Sequence, residues 1–252
     1  MSLRALTRNA ARALRVLNPF QDGRSVRVLC YHRVRPQQDY LSVTPEDFEA
    51  QMKHLAGLDY QSVSIGQMLS GETGPRSIVL TFDDGFADNF ECAYPIMKNY
   101  GFTASIFCIA GKMDTPGYLS RAQVLAMMKD GFEFGAHTLS HPHLPKISLE
   151  ARKDEILQSK SELEQWTGKT FDYFCYPYGE YDAECLQILK GSAYKGACSN
   201  IPGSNRPGRV RNPFLVKRTE ISGFDTLEDF DLKLAGAYDV LHQILHVVRG
   251  RP

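Results

Sequence analysis

The chain reads as one α/β domain whose parallel sheet closes, or nearly closes, into a barrel. Two observations carry that reading. Short runs of apolar, β-branched and aromatic residues alternate with helical patterns along most of the 252 residues, and such alternation builds parallel sheets. About seven such runs in a chain of this length suit a closed barrel better than an open sheet.

The elements follow in order. Val26–Tyr31 is a continuous apolar run, which suits a strand covered on both faces. Thr44 then caps a helix with Pro45 at its first position, running to about Leu55 and stopping at Gly57. Residues 78–82 form the second strand, 89–100 a helix ending at Gly101, and 104–110 the third strand. A helix over 121–130 is closed by Gly131, and 132–136 is a strand. The clearest helix spans 148–166, with Ser148 and an acidic first turn at its start and Gly168 as its stop. Strands over 171–176, 194–198 and 216–221 complete the series, with a Gly/Pro/Arg-rich loop over 203–213. A last helix over 227–248, carrying His242 and His246, covers the barrel.

Residues 1–20 form a separate element ahead of the barrel domain, 21–252. Arg4, Arg8, Arg12 and Arg15 fall on one helical face and Leu3, Leu6, Leu14 and Leu17 on the other, and Asn18-Pro19 stops the helix. Such a helix either caps the barrel with its basic side in water or lies on an anionic membrane through residues 2–17.

Composition excludes some functions. Lys+Arg and Asp+Glu are both 29, so no basic excess attracts nucleic acid. No stretch approaches the ~20 apolar residues of a membrane span. The six cysteines include no CxxC pair, and five sit in or beside apolar runs. They read as reduced core thiols. With no secretory h-region, the expected location is the cytoplasm or the face of the cytoplasmic membrane.

Polar residues gather after the strands, where parallel barrels place their active sites. The first strand is followed by His32-Arg33, the second by Asp83-Asp84-Gly85, the fourth by His137 and His141, and the fifth by Tyr176-Pro177-Tyr178-Gly179. Asp-Asp-Gly could be a simple turn. Yet the pair ends an apolar strand, so at least one carboxylate starts from a buried position that demands a partner. Adjacent side chains on a strand diverge, so one carboxylate can bind a cation while the other takes a proton. Pro142 disfavours helix at His141, making the His137–His141 segment a turn. Two imidazoles and a carboxylate leave an open coordination position, the layout of a catalytic metal site. Zn²⁺ is the default ion, and Co²⁺, Ni²⁺ or Fe²⁺ also suit two nitrogens and one oxygen.

These residues resemble the polysaccharide deacetylase family (NodB homology domain, carbohydrate esterase family 4). Thr81-Phe82-Asp83-Asp84-Gly85 matches its first motif, His137-Thr138-Leu139-Ser140-His141 its second, and Tyr176-Pro177-Tyr178-Gly179 the latter part of its third. The likeness runs from about Val26 to Ile221, and the joint match is far more specific than a lone short pattern. It implies a deformed (β/α)₇ barrel and a hydrolase of non-peptide carbon–nitrogen bonds that removes N-acetyl groups from an amino-sugar polysaccharide or oligosaccharide. By the same resemblance Asp83 is the general base, while Asp84, His137 and His141 hold the metal. The Tyr178 N–H helps form an oxyanion hole, and Tyr176, Pro177 and Gly179 contact substrate.

Two departures stand out. The third motif normally begins with an arginine that orients the base, and Cys175 occupies that position. Arg218 could replace it from the last strand or could be an ordinary surface arginine. The late Leu-x-His motif that supplies the acid is not clear. His32 is the candidate acid instead, since Tyr31-His32-Arg33-Val34 resembles the branch containing poly-N-acetylglucosamine deacetylases. A hydrogen-bonded core histidine is the other reading. His143 reads as supporting or structural. Tyr40, Tyr118, Tyr178 and Tyr181 could stack on sugar rings. Two further functions stay open: a deacetylase or deformylase of a lipid-linked amino sugar, docked through the N-terminal helix, and a catalytically silent glycan-binding barrel.

Overall fold

Strands with both faces covered need no polar face, which is why the apolar runs of this chain become its central sheet. The computed structural model describes residues 7–9, 11–12 and 25–239. The first two strands, β1 (Val26–Tyr31) and β2 (Ser77–Phe82), are buried throughout and pair in parallel from Arg27↔Ile78 to Tyr31↔Phe82. Then β3 (Ser105–Cys108), β4 (Glu133–Ala136), β5 (Tyr173–Cys175) and β6 (Gly196–Cys198) add on in chain order, all parallel. The last strand, β7 (Thr219–Glu220), returns to β1, and Val216 just ahead of it bridges Cys198 of β6. One short segment therefore joins the two ends of the sheet, which curls into a distorted barrel of strands β1 to β7. Gln61–Ser62 and Ser204–Asn205 extend β2 and β1 at their starts.

Alternation divides the side chains into two layers. Val28, Val79, Phe107, Cys175, Cys198 and Val216, contributed by six different strands or strand entries, pack in one cluster inside the curl. Leu29, Tyr31, Leu80 and Phe82 face the other way into the larger cluster beneath the helices, with Phe48 and Met52.

Most helices fall where their caps placed them. Thr44 accepts from Asp47 N–H and opens Pro45–Gly57. Ser148 opens Leu149–Thr167, which stops at Gly168 in the left-handed region. The helix expected over 89–100 is instead a π-type turn, Asn89–Ala93, followed by an α-helix, Tyr94–Asn99. Pro95 explains the break, because it lacks an N–H and its ring clashes with the carbonyl four residues earlier. Two helices not anticipated, Ile65–Ser70 and Ala183–Lys190, are six and eight residues long. That is too short for an apolar period to show.

The helix expected over 227–248 is interrupted: Leu227–Leu234 ends at Ala235, Gly236 turns left-handed at φ 72°, and helix resumes at 237–239. Residues 240–248, with His242 and His246, lie outside the described residues, as do Arg4, Arg15 and the four leucines of the N-terminal helix. Its described part is helical at 7–9 and 11–12. Arg8 forks on Asp229 at 2.7 and 2.6 Å, Arg12 bonds Glu228, and Ala11 is buried in a cluster with Leu232 and Ala237. Among the described residues no helix is long and apolar enough to cross a membrane.

Candidate active site

The same alternation decides what meets at the C-terminal mouth of the barrel. Val28, Cys30 and His32 share one face of β1 and its extension, Val79, Thr81 and Asp83 one face of β2, Gly135 and His137 one face of β4, and Val216 and Arg218 one face of the closing segment. Each series runs from an apolar residue low in the barrel to a polar one at the top.

Arg218 is fully buried and forks on Asp83, with Nη1 donating to Oδ1 at 2.7 Å and Nη2 to Oδ2 at 2.8 Å. Its other donors reach Ser199 O, Thr81 Oγ1 and Asn200 Oδ1. The Cys175 sulfur lies 3.1 Å from Nη2. The surface-arginine reading is thereby excluded. Burial pushes the Asp83 carboxyl up, but the charge and hydrogen bonds of Arg218 outweigh it and hold the group well below the usual carboxylate range.

Asp84 and Gly85 both have φ 73°. Two successive left-handed residues turn the chain sharply, which aims Asp84 at the histidines. A Cβ on Gly85 would meet Cys108 Sγ at 3.0 Å, so glycine suits this turn on both counts. Asp84 Oδ1 lies 3.5 Å from His137 Nε2 and 3.4 Å from His141 Nε2, and the two nitrogens are 3.1 Å apart. Ligand atoms about 2.0–2.1 Å from a tetrahedral zinc stand about 3.4 Å from one another, so this triangle fits a divalent cation. His137 Nδ1 sits 2.8 Å from Cys175 O. A carbonyl only accepts, so Nδ1 donates to it and the ring turns Nε2 toward the triangle. Burial, then the neighbouring His137, lowers the His141 pKa to about 4, so the His141 imidazole is neutral near pH 7.

Two further groups of possible ligands, Cys30-His32-Asp83 and Asp83-His137-Cys175, also converge. Both use Asp83, whose oxygens already hold a guanidinium. Asp84, His137 and His141 have no such competitor and form the better cation site.

Strain concentrates here. Six non-glycine residues among those described have positive φ, and Asp84, Thr138, His141 and Tyr178 are four of them. Such conformations cost about 1–3 kcal/mol each and persist where surroundings over-determine them.

His32 lies at the top of β1, with a ring nitrogen, the Cys30 sulfur and an Asp83 oxygen all within 4.8 Å of one another. Its Nδ1 is buried with no hydrogen-bond partner among the described residues. That runs against a core histidine satisfied by hydrogen bonds. Tyr178 is 54% exposed, its ring edge-on to His141 at 4.6 Å and stacked on His143 at 4.0 Å. His143 in turn pairs with Glu180 at 2.8 Å.

Tyr176 and Pro177, expected to contact substrate, are instead buried. The Tyr176 ring packs edge-on to Phe174 and its hydroxyl donates to Phe214 O. Gly179, at φ 67°, lies against Asn200, whose Cβ a side chain at 179 would meet at 2.6 Å. Of the tyrosines considered for stacking, Tyr181 packs on Tyr176, Tyr118 stacks on Phe86, and exposed Tyr40 bonds Glu220. Sequence reasoning missed Asn200, which braces Arg218, and Glu155, which bonds the turn between the two histidines. Each sits in a stretch with no local motif.

The sequence profile of the family described as polysaccharide deacetylase matches residues 70–197. A crystal structure of a polysaccharide deacetylase from Bacillus cereus superposes with TM-score 0.75 at 30% identity, covering 83% of this chain and 69% of that one. YxkH of Bacillus subtilis strain 168, whose name places it provisionally among polysaccharide deacetylases, is 28% identical over 77% of this chain and 71% of its own. A poly-β-1,6-N-acetyl-D-glucosamine N-deacetylase of Staphylococcus aureus is 27% identical over 72% of this chain and 68% of its own.

Proposed function

The chain belongs to the polysaccharide deacetylase family, and on that premise we propose that it hydrolyses N-acetyl groups from an amino-sugar glycan, using a divalent cation held by Asp84, His137 and His141. The observation that carries this reading is the Asp83–Arg218 fork standing beside the convergent donor atoms of Asp84, His137 and His141. A base kept ionised next to a cation site is what amide hydrolysis requires, because an amide is a poor electrophile and water a poor nucleophile.

A cation held by Asp84, His137 and His141 would supply the charge that polarises an acetyl carbonyl and acidifies water. Zn²⁺ is the first choice for two imidazoles and a carboxylate. The protein's own groups do the rest. Asp83 accepts the proton of the attacking water, and Arg218 fixes its orientation and keeps it charged before the reaction. The Tyr178 N–H donates to the oxygen that becomes negative as the carbonyl is attacked, and losing such a donor costs about 3–4 kcal/mol. His32 gives a proton to the departing sugar amine. The exposed Tyr178 ring offers an apolar face to a sugar beside the triangle. The similarity to the Staphylococcus aureus enzyme favours β-1,6-linked N-acetylglucosamine as the glycan.

Acetate release from poly-β-1,6-N-acetylglucosamine oligomers, run beside chitin oligomers, peptidoglycan fragments and lipid-linked amino sugars, tests the proposal. Asp83→Asn should retain Zn²⁺ yet slow turnover by roughly 10²–10⁴-fold. Release from none of these substrates, or an Asp83→Asn variant with most of its activity, would refute it.

A further inference from the structure

The two histidines of the triangle are joined by a turn that does not hold its shape unaided. Thr138 and His141 both sit at φ 65°, a region that β-branched and bulky residues avoid. Thr138 Oγ1 closes the turn from within by accepting the His141 N–H at 2.9 Å. From one side, the N–H groups of Ala110 and Gly111, just after β3, donate to Thr138 O and Leu139 O. From the other side comes a single side chain. Glu155 Oε2 accepts the N–H groups of Leu139 and Ser140 at 2.8 and 2.9 Å, and Oε1 accepts the Ser140 hydroxyl at 2.6 Å.

We propose that Glu155 is a positioning residue for the cation site: its carboxylate pins the apex of the His137–His141 turn and so presets the distance between the two imidazoles. The inference rests on the reading that Asp84, His137 and His141 hold a metal. Three features separate this from ordinary packing. Consecutive N–H groups converging on one carboxylate oxygen form an anion cradle, and charge-assisted bonds of this kind are roughly twice as strong as neutral ones. No lysine, arginine or histidine pairs with Glu155 among the described residues, so its charge is committed to the turn. Its platform is rigid too: the helix Leu149–Thr167 is clamped one turn in by buried Arg152, which bonds Leu144 O, Asp182 and Glu184. Without Glu155, the strained turn can relax and His141 swings out of register with His137, which its own Nδ1 bond to Cys175 O keeps in place.

Zn²⁺ affinity of metal-stripped protein, measured by competition with a chromophoric chelator, tests this alongside the melting temperature of the same samples. Groups that orient metal ligands typically contribute about 10–100-fold to affinity, so Glu155→Ala should weaken Zn²⁺ binding by that factor. Glu155→Gln keeps an acceptor for the two N–H groups and should fall between it and the wild type. Ser148→Ala removes the cap of the same helix without touching the turn. It should lower the melting temperature and leave Zn²⁺ affinity unchanged. Wild-type affinity in Glu155→Ala, or an equal loss in Ser148→Ala, would overturn the inference. A wild-type protein that binds no Zn²⁺ would overturn the metal reading beneath it instead.

Discussion

Asp83 and Arg218 stand 135 positions apart in the chain yet share two hydrogen bonds inside the barrel. Neither charge would be tolerated there alone, since an unpaired ion in a low-dielectric interior loses its hydration without compensation. Arg218→Ala should therefore do more than remove a contact. It leaves a buried carboxylate, for which a cost of about 3–5 kcal/mol is expected, and it lets the Asp83 pKa rise because burial then acts unopposed. Urea unfolding of the variant measures that loss, and one below 1 kcal/mol would show the pair to be dispensable for the fold. The Cys175 sulfur lies 3.1 Å from Arg218 Nη2. An arginine at 175 can thus reach the space vacated by one at 218, and Cys175→Arg placed on Arg218→Ala should restore part of the stability.

At the scale of elements, β4 shows how tightly a strand can be tied to the site it serves. Gly135 is its inward residue one step below His137. A Cβ there would fall 2.6 Å from the Phe107 ring and 2.6 Å from Tyr173 O, one contact with a buried aromatic and the other with backbone. Neither can give way cheaply, so β4 would have to move away from β3 and β5 and carry His137 with it. Gly135→Ala should destabilise by about 1–3 kcal/mol, the usual cost of overpacking, and weaken cation binding as well. Unchanged chemical denaturation would mean that the strand can shift freely. The closing segment serves β1 and β6 in the same way. Val216 bridges Cys198, β7 pairs with β1, and Arg218 between them turns inward.

For the molecule as a whole, two groups of the site give the metal-free protein one sign of pH dependence. His141 has its pKa lowered to about 4 by burial and by His137, against about 6.5 for a free histidine. Between those values the unfolded chain takes up a proton that the folded protein does not, so stability falls as pH drops from 6.5 toward 4. Asp83 acts below that window: its depressed pKa gives stability that is present above the ordinary aspartate value and lost as pH falls through the folded one. Asp88, Glu133 and Asp225, whose pKa values burial raises, act with the opposite sign, so the comparison is between variants. Between neutral pH and about 4 the urea midpoint of chelator-treated wild type should lose more than that of His141→Asn, and equal slopes for the two would contradict the assignment.

What the sequence determined by itself was local. Apolar runs marked strands because both faces of a parallel sheet are covered, and Ser, Thr and Gly marked helix ends because caps satisfy backbone groups a few residues away. The triangle of Asp84, His137 and His141 was legible as a candidate cation site for the same reason, as Asp84 and His137 come just after strands recognisable by their own composition and His141 closes the turn that follows. What only the tertiary structure decided were partnerships between distant segments. Alternation says which residues share a face of one strand, but not which strand stands opposite once the sheet has curled. So the Arg218 fork on Asp83, the burial of Tyr176, the bracing by Asn200 and the reach of Glu155 to the histidine turn all depend on curvature and register, which no short stretch of chain contains.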